Sequence, residues 1–275
     1  MDFTKRIATW ITTDGESFQF GGTFTPTAGK IYELNVVTVK ASTGEVVPNV
    51  SGMGFTITPT VKVVSNSGRR RSATYRCITD TPVQGPLTVA TPGTTTSAVC
   101  CYLVEVDGTD PTGTGGANAE VRTTKMADEA NTATVTPVAF GDDYTAGSGV
   151  LCFTDSANTQ SGTSTEDGWT NLGYATSTEG KVAAIYQASA TDKSPTVTYT
   201  GANHCEAIAI EIAGPASGLV SETVQGIFQI NLSEIPGGGL DPDAFEWVEF
   251  VAVQQADGTW VWAPISSPSI GVVTP

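Results

Sequence analysis

The chain has 275 residues, of which 28 are acidic and 13 basic. This gives a formal charge of −15 at neutral pH, with 39% hydrophobic and 15% charged residues. That apolar content supports a packed core and excludes wholesale disorder, while the acidic balance opposes contact with nucleic-acid phosphate and favours solubility or a basic neighbour. No run approaches the ~20 apolar residues of a membrane-spanning helix.

The N-terminal stretch 2–10 reads as an arm or first edge strand, and 15–24 (GESFQFGGTF) places Phe18 and Phe20 in alternation. A clear strand follows at 31–39 (IYELNVVTV). After a polar loop come GFTIT at 54–58 and its continuation at 61–64. Asn66-Ser67-Gly68 is a turn leading through Arg69, Arg70 and Arg71 into a strand at 72–78, and a short strand at 87–90 precedes the run 98–108 (AVCCYLVEVDG). That run is almost continuously apolar and ends in a turn signal, so it predicts a strand buried on both faces. The segment 107–116 is a loop by composition, and 119–140 is ambiguous between a helical turn at 126–131 and a strand at 132–138.

The second half echoes the first. IYELNVVTV corresponds to GVLCFT at 149–154, and GMGFTIT to EDGWTNLG, setting Phe55 opposite Trp169. SGRRRSATYRC corresponds to STEGKVAAIYQA, setting Tyr75 opposite Tyr186. PLTVAT then corresponds to PTVTYT, and CYLVEVDG to AIAIEIAG at 207–214. Five matched segments in one order, offset by roughly 110 residues, predict a duplicated β-unit. The fold class expected is all-β: a jelly-roll-like antiparallel β-sandwich spanning 1–214, with pseudo-repeats at about 31–108 and 149–214. A linker at 215–218 then leads to a C-terminal β-hairpin region, 219–275, in which Asp257-Gly258 joins two aromatic-rich strands.

The candidates for chemistry are weak. His204 is the single histidine and stands beside Cys205, so a Cys–His dyad competes with a plain turn histidine. Glu105 with Asp107, and Glu206 with Glu211, would suit acid–base work if a cleft held them, but strand carboxylates commonly face solvent. Asp107, Asp110, Asp142 and Asp143 lie in Gly/Thr loops, where capping the loop competes with calcium binding. The five cysteines are odd in number and lack zinc spacing, which predicts buried free thiols made in a reducing compartment. The N-terminus has no apolar core of signal-peptide length, consistent with the same compartment. No catalytic, cofactor or metal residue is assigned, and the chain is expected not to be an enzyme.

Two clusters are candidates for partner binding. Arg69, Arg70 and Arg71 form the basic patch of an acidic chain, suited to an acidic neighbouring subunit or simply to a solvated turn. Phe245, Trp247, Phe250, Trp260 and Trp262 concentrate aromatic surface in the C-terminal hairpin, which must pack on its own chain, on another chain, or on sugar rings.

Taken in order, IYELNVVTV, the turn 48–54 reaching GFTIT, SGRRRSATYR, VCCYLVEVDGTD and EAIAIEIAG resemble a β-rich domain of structural proteins of tailed bacteriophages. The resemblance covers about two-thirds of the chain and rests on packing motifs. It implies a virion component assembled in the host cytoplasm: a capsid decoration protein binding the major capsid protein or another virion protein, and oligomerising with itself. The competing reading is a carbohydrate-binding adhesin domain of a tail or head fibre. Neither reading calls for a cofactor, nucleic acid or a membrane.

Overall fold

The computed structural model describes residues 1–40, 48–65, 69–136, 139–157, 163–165, 168–192, 195–215, 226–231, 245–254, 260–264 and 269–270. The fold is all-β, as the turn-rich composition predicted, with antiparallel sheets throughout. The chain divides into two compact units, Met1–Ala216 and Ser217–Pro275.

The first unit contains two copies of one module. The first copy comprises β1 (Asp2–Ile11), β2 (Ser17–Phe20), β3 (Ile31–Val39), β4 (Asn49–Gly52), β5 (Thr56–Ser65), β6 (Arg70–Ile78), β7 (Leu87–Ala90) and β8 (Ala98–Asp107). Its large sheet has the order β1-β8-β3-β6-β5 and its small sheet β2-β7-β4. β5 lies at the edge of the large sheet, beside β6. The β4–β5 turn holds Gly52, Met53 and Gly54 at φ 119°, 57° and 76°. A Cβ on Gly52 would stand 2.3 Å from the Pro86 carbonyl oxygen, so that position requires glycine.

The second copy comprises β9 (Glu120–Val135), β10 (Gly149–Ser156), β11 (Thr163–Thr165), β12 (Thr170–Ser177), β13 (Gly180–Gln187) and β14 (Val197–Ile212). Its large sheet runs β9-β14-β10-β13-β12, the same order element for element. Here β9 does the work of β1 and β2 together, and β14 that of β7 and β8. Residues 134–135 and β11 both pair with the start of β14, as β2 and β4 both pair with β7. Register shifts between Thr198, Asn203 and Cys205 interrupt the β9–β14 pairing between those two stretches. Each copy thus begins before the repeat limits read from the sequence, the first with β1 and β2 and the second with β9. The ambiguous segment 119–140 resolves into a three-residue 3-10 turn, Ala117–Ala119, and the strand β9.

Register fixes the correspondence residue by residue. Glu105 pairs with Tyr32, and Glu211 with Val150; Tyr32 pairs with Cys77, and Val150 with Gln187. With Glu105 matched to Glu211, Arg76 rather than Tyr75 matches Tyr186. The sequence pairing of Tyr75 with Tyr186 is therefore one residue out of register, which exchanges the two faces of the strand. Tyr75 lies in the core of its own copy, whereas Tyr186 packs against Phe3 in the layer between copies.

Three hydrophobic layers result. Tyr32, Leu34, Tyr75, Leu103 and Phe20 fill the first copy, between its large and small sheets. Cys152, Trp169, Ile185, Val197 and Tyr199 fill the second. Between them, Tyr102, Val104 and Val106 of β8 face Phe153 of β10 and Ile208, Ile210 and Ile212 of β14. Both large sheets are covered on both faces. This explains why β3, β6, β8, β10 and β13 read as runs rather than as alternating strands. The two copies meet through matching faces, with β1 against β12 and β9 against β5, an arrangement close to a twofold.

The second unit is a four-stranded antiparallel sheet. β15 (Gly226–Asn231), β16 (Phe245–Gln254) and β17 (Trp260–Pro264) lie side by side, and β18 (Ser269–Ile270) also pairs with β16. The expected hairpin between aromatic strands is β16–β17. Its proposed turn, Asp257-Gly258, lies outside the described residues.

Candidate functional site

The layer between copies gathers the buried charges. Arg70, at the start of β6, is 2% exposed and reaches Asp155 on β10, which is 1% exposed. Its Nε and Nη2 donate to the two carboxylate oxygens of Asp155 at 2.5 Å each, and its Nη1 donates to the Glu179 carbonyl at 2.8 Å. This two-point, forked geometry is the strongest form of the ion pair. Burial pushes the Asp155 carboxyl up and the Arg70 charge pulls it back; the guanidinium is held charged by Asp155 and, more weakly, by Glu206. At the other end of β6, Arg76 donates to Glu120 of β9 at 3.2 Å and to the Gly115 carbonyl at 2.9 Å. Two arginines of one strand therefore tie the first copy to the second.

Glu33, fully buried on β3, is paired in register with Arg76, yet neither of its carboxyl oxygens has a hydrogen-bond partner. Burial first, and the charge of Glu120 second, hold its carboxyl well above the usual range, with Arg76 offsetting only part. Its surroundings favour the protonated, uncharged form.

Each copy also closes one end with an Arg–Glu pair; the two glutamates are at matched positions, but Arg122 is opposite its glutamate in register while Arg6 is the bulge residue of β1. Arg6 donates to Glu105 at 2.9 Å, and Glu105 also accepts from the Tyr32 hydroxyl. Arg122 donates to Glu211 at 2.5 Å, and Glu211 accepts further from the Thr145 amide and the Ser148 hydroxyl. These carboxylates are fully engaged in structure. Asp107 accepts from Lys30 and from the Gly108 amide, and Asp110 from the Thr112 amide and hydroxyl, so both organise their loops. The backbone carbonyls of Asp142 and Asp143 receive Arg122. Among the described residues, no group of three or more His, Cys, Asp or Glu side chains gathers as metal ligands, and no helix is long and apolar enough to cross a membrane. His204 lies within β14 rather than in a turn, at an irregularity of the β9–β14 pairing beside Cys205. All five cysteines are free and buried, as expected.

The partner-binding candidates separate. Arg70 is consumed by Asp155, and Arg71, 4% exposed, faces the interior of the first copy beside Tyr75. Only Arg69 of the three is exposed, its Nε directed at the Lys40 carbonyl. The basic patch expected at the surface is mostly internal, because β6 is covered on both faces. In the C-terminal unit, β16 carries Phe245, Trp247 and Phe250, and β17 carries Trp260 and Trp262. By register, Trp260 pairs with Gln254, Trp262 with Ala252 and Phe250 with Pro264.

The sequence reading missed Glu33, Asp155 and Lys181. One signal was present for each: a charged residue inside a run otherwise reading as a two-face-buried strand must either find a partner or lose its charge. Comparisons with protein-family models, with curated proteins and with solved structures returned no significant match.

Proposed function

We propose that the chain is a non-enzymatic structural protein of a bacteriophage virion, an auxiliary head protein that decorates the assembled shell. One observation carries this reading: the chain joins a doubled β-scaffold to a separate C-terminal sheet unit whose strands are rich in aromatic residues. The charged groups of the scaffold interior serve to hold its copies together, which suits a passive, rigid body. The C-terminal unit is the attachment element; aromatic anchors supply large binding area at low entropic cost. The net charge of −15 keeps the outward surface soluble. The resemblance of 31–214 to virion domains supports the same reading, as does assembly in the reducing host cytoplasm for a chain with five free thiols.

The test is co-sedimentation with shells assembled from the major capsid protein of the phage whose genome encodes the chain. The full chain should pellet with shells. A chain ending at Ala216, its fold checked by circular dichroism, should not. Failure of the full chain to bind shells, together with its presence in tail or fibre fractions of purified particles, would replace this reading with the fibre adhesin. Shell binding by the truncated chain would move the attachment to the scaffold.

A further inference from the structure

The seam where the two copies meet carries an open groove of about 490 Å3 between β1 and β12, the outer strands of the two large sheets. Trp10 and Tyr174 line it, among Thr9, Thr12, Thr176, Ser177 and Thr178. No charged side chain is among its lining residues, although the chain as a whole is strongly acidic.

Both rings are held from behind. The Trp10 indole donates to the Ala175 carbonyl at 3.3 Å, and the Arg70 guanidinium, clamped by Asp155, lies 5.6 Å from the Trp10 ring centroid. The Lys181 ammonium is buried, has no hydrogen-bond partner, and sits 4.4 Å from the centroid of the Tyr174 ring. Each cation occupies one face of its ring and fixes the ring's orientation. Tyr174 nonetheless remains 52% exposed, one of three large hydrophobic residues exposed among those described. A half-exposed ring, pinned by a cation on one face and set among uncharged hydroxyl residues, is a preorganised surface for a flat, weakly apolar, hydroxyl-rich ligand. A pyranose has that chemistry: one face rich in C–H groups to lie on an aromatic ring, and a rim of hydroxyls that exchange hydrogen bonds with Thr and Ser.

We propose that the groove between β1 and β12 binds a neutral oligosaccharide, one sugar ring stacking on the exposed face of Tyr174 and its hydroxyls meeting Thr9, Thr12, Thr176 and Ser177. The site is composite and exists only because the two copies are docked, with one wall from each. It is independent of where the chain sits on a particle and of the C-terminal aromatic strands.

The test applies the full chain to an array of neutral and acidic glycans and titrates the tightest neutral one by calorimetry. Binding to neutral glycans is expected. Tyr174→Ala should weaken it at least tenfold while the chain stays folded by circular dichroism, and Tyr174→Phe should retain most of it, because stacking needs the ring and not the hydroxyl. Thr176→Trp, which fills the groove from an exposed strand position, should abolish it. The proposal is overturned if the array shows no neutral glycan bound or only acidic ones. It is equally overturned if both Tyr174→Ala and Thr176→Trp bind as the wild type does, which would place any glycan site elsewhere.

Discussion

The Arg70–Asp155 pair gives the sharpest test of how the copies are held together. Both side chains are almost fully buried, and Arg70 makes two bonds to the carboxylate and a third to the Glu179 carbonyl. Asp155→Asn keeps the shape but removes the countercharge, leaving a guanidinium desolvated and facing an amide. Removing one partner of a buried pair costs about 3–5 kcal/mol. For a unit of this size each kcal/mol moves the melting temperature by roughly 2–4 °C, so a fall of about 6–20 °C is expected in the transition of the Met1–Ala216 unit, read by scanning calorimetry on the full chain. The double variant Arg70→Met with Asp155→Leu removes both charges into a layer already lined by Tyr102, Phe153 and Val182. It should recover most of the loss, because desolvating the pair costs nearly what its attraction returns. A single Asp155→Asn variant that melts within 1 °C of the wild type would refute this account. So would a double variant less stable than the single, which would mean that the pair is a large net contributor.

Further outcomes follow from the same interior. Gly180 stands at φ 149°, and a Cβ there would lie 2.4 Å from the Ser156 carbonyl oxygen and 2.5 Å from Arg70 Nη2; Gly180→Ala should destabilise by roughly 1–3 kcal/mol and be strongly non-additive with Asp155→Asn in calorimetry, since both act on one bridge. Burial holds the folded Glu33 carboxyl well above its ordinary value, near 4.5, so between the two values the folded state binds the extra proton. Its contribution is whole below about pH 4.5 and is lost as pH rises towards the raised folded value, with a slope of up to ~1.4 kcal/mol per pH unit. Glu33→Gln should therefore gain stability relative to the wild type progressively above pH 4.5 in denaturant melts, and a constant difference across pH would contradict it. The thiols of Cys77, Cys100, Cys101 and Cys152 are pushed up by burial, and all five cysteines are buried. Ellman's reagent at pH 8 should titrate none in the native chain and five in denaturant; rapid native labelling would show the interior to be open.

Much of the scaffold was legible in the sequence. The five matched segments became β3, β5, β6, β7 and β8 against β10, β12, β13 and the two ends of β14, in one strand order. Packing runs such as IYELNVVTV and GVLCFT advertise burial on both faces and little else, so they reveal strands without revealing what covers them. The Tyr75–Tyr186 slip shows the limit: a strand buried on both faces has no polar side to fix its register by pattern. The segment 119–140 was opaque because β9 carries Met, Ala, Asp and Glu that also suit a helix, and only its pairing with β14 makes it a strand. The arginine cluster was misjudged for a related reason. Three consecutive cations read as surface, and nothing in the local sequence indicates that Asp155, 85 residues away, buries one of them.

The correspondence between copies explains why this interface accepts a buried charge at all. Tyr102, Val104 and Val106 match Ile208, Ile210 and Ile212, so the apolar part of the layer is nearly self-complementary, as in a twofold dimer whose two halves have been joined in one chain. The polar part breaks that symmetry. By register, the position matched to Arg70 is Gly180, and the one matched to Asp155 is Val37. A guanidinium at both matched positions would collide, since even a methyl group on Gly180 would lie within 2.5 Å of Arg70. Only a fused pair, in which each copy can differ, can place an arginine on one side and a glycine on the other. The bridge therefore selects a single docking of two otherwise interchangeable faces. It also sets the pairing of β1 with β12 from which the groove at the seam is built. Swapping the residues, as Arg70→Gly with Gly180→Arg, should restore space but not the bridge, because Val37 would stand where Asp155 is required. That variant should melt no higher than Arg70→Gly alone.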